Sequence, residues 1–227
     1  MFDTDLLIEI LWVIVLIIYV FAFSIFIKKL YEYITKKGLD NDVAVYYNRK
    51  LVHIFAGGVV ALLVPFVFSN PWFPLFCGLG LSIFTYIAHG TGHIMYWFQK
   101  KDDENDVSFC IMWALSIFII WLVTGNPWIS VIPALFMSIG DGVTGIIRNA
   151  LYKKRSKHPI GNVFMLIVCV PIGYVFGDTA GIALWGISAG IIASLVERFE
   201  YKKIDDNIFI TVFSSIIVYL GFYLNHM

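Results

Sequence analysis

Eight apolar stretches follow one another along this chain, at roughly 6–27, 52–68, 72–87, 107–123, 128–147, 160–177, 180–196 and 207–224. A helix needs about 20 predominantly apolar residues to cross a bilayer, with a range of about 17–25. Most of the stretches meet that length. The third and seventh are short, so seven spans plus a re-entrant segment is the alternative count. The composition excludes a soluble reading: 59% of the 227 residues are hydrophobic and 14% charged, against about 45–50% and about 25% in ordinary soluble domains. Disorder, nucleic-acid binding through bulk charge and a disulfide scaffold fall with it. Cys77, Cys110 and Cys169 stand far apart in apolar runs, and read as small packing residues.

The basic residues are segregated. Lys28, Lys29, Lys36, Lys37, Arg49 and Lys50 follow the first stretch, and Lys100 and Lys101 the third. Arg148, Lys153, Lys154, Arg155 and Lys157 follow the fifth, and Arg198, Lys202 and Lys203 the seventh. These are all 16. Eight spans put them on one face, which the positive-inside rule makes cytoplasmic. The opposite turns, Ser69–Pro71 and Thr124–Pro127, hold no basic residue. The expected fold is therefore an all-α integral membrane protein, a bundle of about eight transmembrane helices with both termini outside. Asp3 and Asp5 precede the first stretch and its basic residues follow it, so it reads as an anchor rather than a cleaved signal peptide. The chain reads as one transmembrane domain over 1–227. Residues 1–47 form the first span and a cytoplasmic linker, and 48–210 the core.

Asn70-Pro71-Trp72 recurs as Asn126-Pro127-Trp128, and Ser82-Ile83 as Ser138-Ile139. This is either an internal repeat or two similar turns, each Asn capping a helix that Pro begins. Pro65, Pro74, Pro133 and Pro171 fall within the stretches and are expected to bend them.

Ionisable groups at membrane depth are functional candidates. The first is Gly140-Asp141-Gly142-Val143-Thr144-Gly145, with Asp141 about six residues, roughly 9 Å, from the cytoplasmic end of its span. On a helix Asp141, Thr144, Gly145 and Arg148 share a stripe, so an Asp141–Arg148 ion pair is the structural alternative. The glycines would let backbone approach an anion. The match to GxGxxG is weak, because no strand precedes it. The second is Asn48-Arg49-Lys50-Leu51-Val52-His53, where Arg49 and His53 share a face and the cations suit phosphate, or simply anchor the helix. The third runs from Arg148 to Gly161-Asn162 through Lys157 and His158. Attraction to anionic lipid accounts for Lys153 and Lys154, and less well for His158, Pro159, Gly161 and Asn162. The fourth is Glu197 through Asn207, with Glu200, Asp205 and Asp206. Hard oxygens in this number suit Mg²⁺ carrying a nucleotide, while Asp205, Asp206 or Asn207 can also cap the last span.

Weaker features are the His89/His93 pair, read as interfacial rather than metal-binding, and Glu9, which faces the bundle or the outer interface. The acidic run Asp102 to Asp106 reads as a solvated loop.

The four clusters, in this order and at these depths, resemble the integral-membrane lipid kinases that use CTP, the family of dolichol kinase, phytol kinase and the fungal diacylglycerol kinase. More distantly they are similar to the CDP-diacylglycerol synthases. The resemblance covers most of 48–210 and leaves out the first span. It rests on Arg49-Lys50-Leu51-Val52-His53, Gly140-Asp141-Gly142, Lys157 to Asn162 and Glu197 to Asn207. In that family an Asp-led segment running to a basic stretch and a Glu-Gly pair is implicated in CTP binding. Asp141 matches the acid and Lys157 the basic stretch. Thr144, Arg148, Tyr152 and Ile160-Gly161 depart from the family's usual residues, as in a divergent branch.

The resemblance implies phosphoryl transfer from CTP, or another nucleoside triphosphate, to a membrane lipid alcohol, a polyprenol, dolichol or diacylglycerol-type lipid. The enzyme would sit in a cell membrane or an endoplasmic-reticulum-type membrane, as monomer or homo-oligomer, with its active site on the cytoplasmic face. No nucleic-acid partner is expected. Asp141 and Asp206, with Glu197 and Asp205, are expected to hold Mg²⁺. Arg49, Lys50, Arg148 and Lys157, with Gly140, Gly142, Thr144, Gly145, Gly161 and Asn162, are expected around the nucleotide. His53 or Asp141 would take the hydroxyl proton. No GxxxxGK[ST] loop occurs. A cytidylyltransferase making a CDP-lipid is the alternative enzyme, and a small-solute transporter the alternative without chemistry. A transporter would need a polar path near the midplane.

Overall fold

In the computed structural model residues 4–101, 103–154, 156–201 and 204–227 are described. Arg155, Lys202 and Lys203, expected on the basic face, and Asp3 and Asp102 lie outside the described residues. Nine helices occupy the described residues: α1 Thr4–Phe26, α2 Lys28–Lys36, α3 Asn41–Val67, α4 Trp72–Thr91, α5 Asn105–Thr124, α6 Pro127–Tyr152, α7 Ile160–Asp178, α8 Ala183–Val196 and α9 Asp206–Asn225. The only β pairing among them is two isolated bridges, Lys100 with Asp103 and Tyr201 with Ile204.

All eight apolar stretches are helical. Seven helices are long and apolar enough to cross a membrane. The exception is α8, whose 14 residues reach about 21 Å, short of the roughly 30 Å hydrocarbon core. The third stretch, short by composition, is a full 20-residue helix. It continues through Gly90 because Gly92, at φ +76°, supplies the left-handed residue that ends it.

Helix α6 runs through the centre. In its most apolar window 83% of the residues are buried, against 17–39% in the other six long helices. Helix α1 is the most peripheral, at 17%. Around α6, α7 and α9 close on α8 through small residues. A Cβ added to Gly173 would strike the carbonyl of Gly186, and the reverse holds for Gly186. This backbone-to-backbone approach is available only to glycine, and it holds the short helix α8 in place.

The Asn-Pro-Trp recurrence is a recurrence of turns. Asn126 Oδ1 accepts from the amides of Trp128 and Ile129 at 2.9 and 3.3 Å, and Asn70 Oδ1 from that of Trp72 at 3.2 Å. Ser82 lies in regular helix and Ser138 in a widened turn, so the likeness ends there. Glu9 faces the same end, its Oε1 accepting from the Ser69 amide at 2.6 Å. Pro74 falls in the first turn of α4, where a missing N–H is harmless. Pro65 and Pro171 do stand inside helices.

Two π-helical turns interrupt the helices that matter most. His53–Gly58 widens α3 and Phe136–Gly140 widens α6. They pack on one another: a Cβ at Gly57 would lie 3.0 Å from Ser138 Oγ, and one at Gly58 2.7 Å from Ile139 Cγ1. Each wide turn adjoins a candidate residue, His53 opening the first and Asp141 following the second. Such turns favour functional sites because they re-aim the side chains beyond them.

Candidate functional site

The starts of α3, α5, α7 and α9 and the ends of α4, α6 and α8 meet at one end of the bundle. Cross-links there are explicit: Asn149 Nδ2 donates to the Val43 carbonyl at 3.0 Å, and Asn207 Nδ2 to that of Asn105 at 3.1 Å. Helices α3 and α6 extend beyond their apolar stretches on this side, to Asn41 and Tyr152. Asp141 is therefore about 16 Å along α6 from its end rather than 9 Å. It is 1% exposed.

Asp141, Glu197 and Asp206 converge from α6, the end of α8 and the start of α9. One ligand atom from each lies within 4.8 Å of the others. Three carboxylates this close repel unless cations intervene. Lys50 Nζ sits 2.5 Å from Asp141 Oδ2. Lys157 Nζ bridges, 2.6 Å from Asp206 Oδ2, 3.1 Å from Glu197 Oε1 and 3.1 Å from Glu200 Oε1. Burial alone would depress the Lys157 ammonium. The carboxylates of Asp206, Glu197 and Glu200 outweigh it and hold the group above the ordinary lysine value. Its side chain is 28% exposed, at the mouth of the cluster.

Arg148 takes the third anion. Its Nη1 and Nη2 grip Glu197 Oε1 and Oε2 at 2.7 and 2.9 Å. Nε donates to the His158 carbonyl at 2.9 Å and Nη2 also to Asn162 Oδ1 at 3.0 Å. The alternative of an Asp141–Arg148 pair is not what forms: Asp141 pairs with Lys50 and Arg148 with Glu197. A buried guanidinium favours the partner it can fork onto. Asn162 Nδ2 donates to Glu197 Oε2 at 3.1 Å and to the Ser194 carbonyl. Thr144 Oγ1 donates to the carbonyls of Gly140 and Gly161 at 2.9 and 3.2 Å. Arg148, Thr144 and Asn162, expected around a nucleotide, here brace Glu197 and the junction of α6 with α7.

The glycines also serve neighbours rather than an open cradle. Gly140 faces Cys169, Gly142 faces Ile54, Gly161 faces Arg148 and Gly145 faces the stem of Lys50. A Cβ at Gly145 would lie 2.5 Å from Lys50 Cε, so its absence lets the lysine reach Asp141.

Asp205 is not brought to the carboxylate cluster. Its Oδ1 accepts from the Ile208 amide at 3.2 Å, capping α9, and its Oδ2 from Ser108 and from Asn207 Nδ2. Burial raises its pKa above the ordinary carboxylate value, with the hydrogen bond from Ser108 opposing and the Asp206 charge adding to the rise. Arg49 turns sideways: Nη1 pairs with Asp103 Oδ2 at 2.7 Å and Nε donates to the Phe98 carbonyl at 3.3 Å.

In the described part of the acidic run, Glu104 is exposed as expected of a solvated loop, but Asp103 and Asp106 are not left to solvent. Besides Asp103 on Arg49, Asp106 holds His89 Nε2 at 2.9 Å and Gln99 Nε2. Gln99 carried no signal in the sequence, because its partners are separated from it by a turn. His89 is thus tied to a carboxylate rather than paired with His93.

Single atoms of Asn48, His89, Asn149 and Asn207 are buried without a partner at this end, and in His53 both side-chain nitrogens are. His53 is 4% exposed. Nδ1 is 3.7 Å from Asp141 Oδ2, and the ring stacks on Phe109 with centroids 4.0 Å apart. Asn207 Oδ1 is likewise buried and unpartnered. Both residues line a small polar recess with Tyr46, Arg49, Lys50, Asn105 and Asp206. Its volume of about 10 Å³ is that of about one water.

Away from this end, Ser130, Thr211 and Ser214 donate to carbonyls three or four residues back in their own helices, while Ser138 Oγ is buried without a partner.

The acidic triad fits a hard divalent cation in donor chemistry and convergence, and the two lysines fit phosphate. No protein-family model, no curated protein and no solved structure matches this chain.

Proposed function

We propose that this chain is a membrane-embedded phosphotransferase that moves the terminal phosphoryl group of a nucleoside triphosphate, CTP in the first instance, onto a lipid alcohol. The observation that carries the reading is the convergence of Asp141, Glu197 and Asp206 between Lys50 and Lys157 at the basic end of the bundle. The resemblance of these segments to the CTP-dependent lipid kinases supports it. The positive-inside rule assigns this end to the cytoplasm, where nucleotide is available, and eight crossings would leave both termini outside.

Phosphoryl transfer demands positioning and charge neutralisation more than covalent help. Asp141, Glu197 and Asp206 would hold Mg²⁺, which when bound neutralises charge on the phosphate oxygens. Lys157, at the mouth, meets the incoming phosphates first. Lys50 sits deeper and exchanges its carboxylate partner for a phosphoryl oxygen. Arg148, which forks onto Glu197 through Nη1 and Nη2, keeps that carboxylate aimed. The lipid hydroxyl oxygen attacks the terminal phosphorus. A new O–P bond forms as the bond to the bridging oxygen breaks, and the nucleoside diphosphate leaves with the electron pair. The hydroxyl proton passes to His53, whose ring nitrogens have no hydrogen-bond partner, while Asp141 would be occupied as a metal ligand.

The test is an assay of purified protein with Mg²⁺, a lipid alcohol and CTP or ATP labelled at the γ-phosphate, with α-labelled CTP in parallel. The γ label is expected on the lipid, and its transfer should stop with EDTA and resume with Mg²⁺. The α label on the lipid, with pyrophosphate released, would instead show a cytidylyltransferase. Asp141→Asn should lower turnover by about 10²–10³ or more in a folded protein. Full activity in that variant would remove Asp141 from the mechanism.

A further inference from the structure

A second cavity adjoins the polar recess, and it is apolar. It lies between α1, α3, α4 and α5, has a volume of about 150 Å³, and is partly open to the outside. Leu16 and Val20 of α1, Ala56 of α3, Cys77 and Leu81 of α4 and Trp113 of α5 form its walls. An apolar void of this size stays dry and accepts a hydrocarbon group about the size of benzene. Polar side chains gather at one end, where Arg49, His53, Gln99 and Asp106 border it. Three of these four are committed: Arg49 to Asp103, and Gln99 and Asp106 to each other. His53 alone presents buried, unpartnered nitrogens. Arg49 and His53 line the polar recess as well, so the two cavities share a wall.

We infer that this cavity is the seat of the acceptor lipid: the hydrocarbon chain lies between α1 and α4, and its hydroxyl lies at His53. The shape and chemistry favour such an occupant. Apart from Ser24 and Thr85, whose hydroxyl is spent on the carbonyls of Leu81 and Ser82, the walls offer an alkyl or isoprenoid chain apolar contact, and the buried unpartnered nitrogens are those of His53, beside Asp141. A hydroxyl there meets His53 on one side, with Lys50 and Asp206 of the recess beyond. Helix α1 forms the fourth wall although it is the least buried long helix. It therefore acts as the side through which a chain enters from the bilayer, and tethers the site to the membrane plane. The inference rests on the phosphotransferase reading for the identity of the head group. The placement of the chain rests on the cavity alone.

The experiment uses the full-length protein in lipid nanodiscs and a hexadecanol analogue with a diazirine at mid-chain. After photolysis, adducts are expected on residues 13–24 of α1 and 77–85 of α4. Cys77→Trp fills the cavity from α4 and Val20→Trp from α1. Each should suppress the adducts and raise KM for the lipid alcohol about tenfold, the effect of losing roughly two methylenes of contact, with KM for nucleotide unchanged. Leu184→Trp, at an exposed position of α8, is the control. Should Cys77→Trp fail to fold, Val20→Trp on the peripheral helix still decides. Adducts confined to the outer surface, or Trp variants with unaltered labelling and lipid KM, overturn the inference even if the wild type transfers phosphate. Adducts in the cavity of a protein that transfers no phosphate leave the chain site standing and remove the phosphotransferase reading.

Discussion

Replacing Arg148 with methionine separates its bracing role from a phosphate-binding one. Arg148 and Glu197 are each 1% exposed, and four hydrogen bonds tie the guanidinium to Glu197, Asn162 and the His158 carbonyl. Removing one partner of a buried ion pair destabilises by about 3–5 kcal/mol, because a charge is stranded. Here Lys157 remains 3.1 Å from Glu197, so the stranded carboxylate keeps one cation and the lower end, about 3 kcal/mol, is expected. That is roughly two orders of magnitude in the unfolding equilibrium. Tryptophan fluorescence during unfolding in mixed micelles reads it. The double variant Arg148→Met/Glu197→Gln should be more stable than Arg148→Met alone, since it removes the stranded charge. Arg148→Lys should lose stability as well, because an ammonium cannot fork. An Arg148→Met protein within about 0.5 kcal/mol of wild type would refute the reasoning. So would Arg148→Lys with full stability and a raised nucleotide KM, which would return Arg148 to the phosphate site.

Other substitutions probe the remaining contacts. Gly145→Ala improves helix propensity by about 1 kcal/mol yet pushes the Lys50 stem, so turnover should fall about tenfold or more while thermal stability changes little. Gly186→Val drives a side chain into the Gly173 carbonyl, and folded, monodisperse protein should be lost on size-exclusion chromatography. Asp103→Asn weakens the hold on Arg49 and should cost about 1–2 kcal/mol in the same unfolding assay. His53→Gln should cut kcat about 10²-fold or more and leave nucleotide KM unchanged, because no hydrogen bond is lost in the free protein.

The sequence made some of this architecture plain and hid the rest, for physical reasons. Runs of apolar residues report helices in lipid directly, so the stretch containing α8 could be placed and its shortness noticed. The grouping of Lys50, Asp141, Lys157, Glu197 and Asp206 was readable because charge at membrane depth is scarce and, Glu9 apart, gathers toward the side that holds every basic residue. Partner choice was not readable. The spacing of Asp141 and Arg148 on one stripe suggests that they pair, but α3 and α8 bring Lys50 and Glu197 closer. The acidic run looked solvated because Arg49 and His89, which meet Asp103 and Asp106, come from other helices. No local pattern announces the wide turns. Gly57-Gly58 and Gly140 only permit them, and α3-to-α6 packing decides.

Those two wide turns carry a consequence for how this chain can change. Each fits one extra residue into a turn, and one residue is worth about 100° of rotation on a regular helix. Deleting a single position within 136–140 would let α6 close into an ordinary spiral with Asp141 keeping nearly its present direction. Deletion within 53–58 would do the same for α3, leaving both halves of that helix in phase. The stretch from Asp141 to Arg148 has no such slack, and losing one residue there turns the two side chains about 100° apart. The wide turns are thus one-residue reserves, and a single deletion within them is expected to be better tolerated than one elsewhere in the same helices.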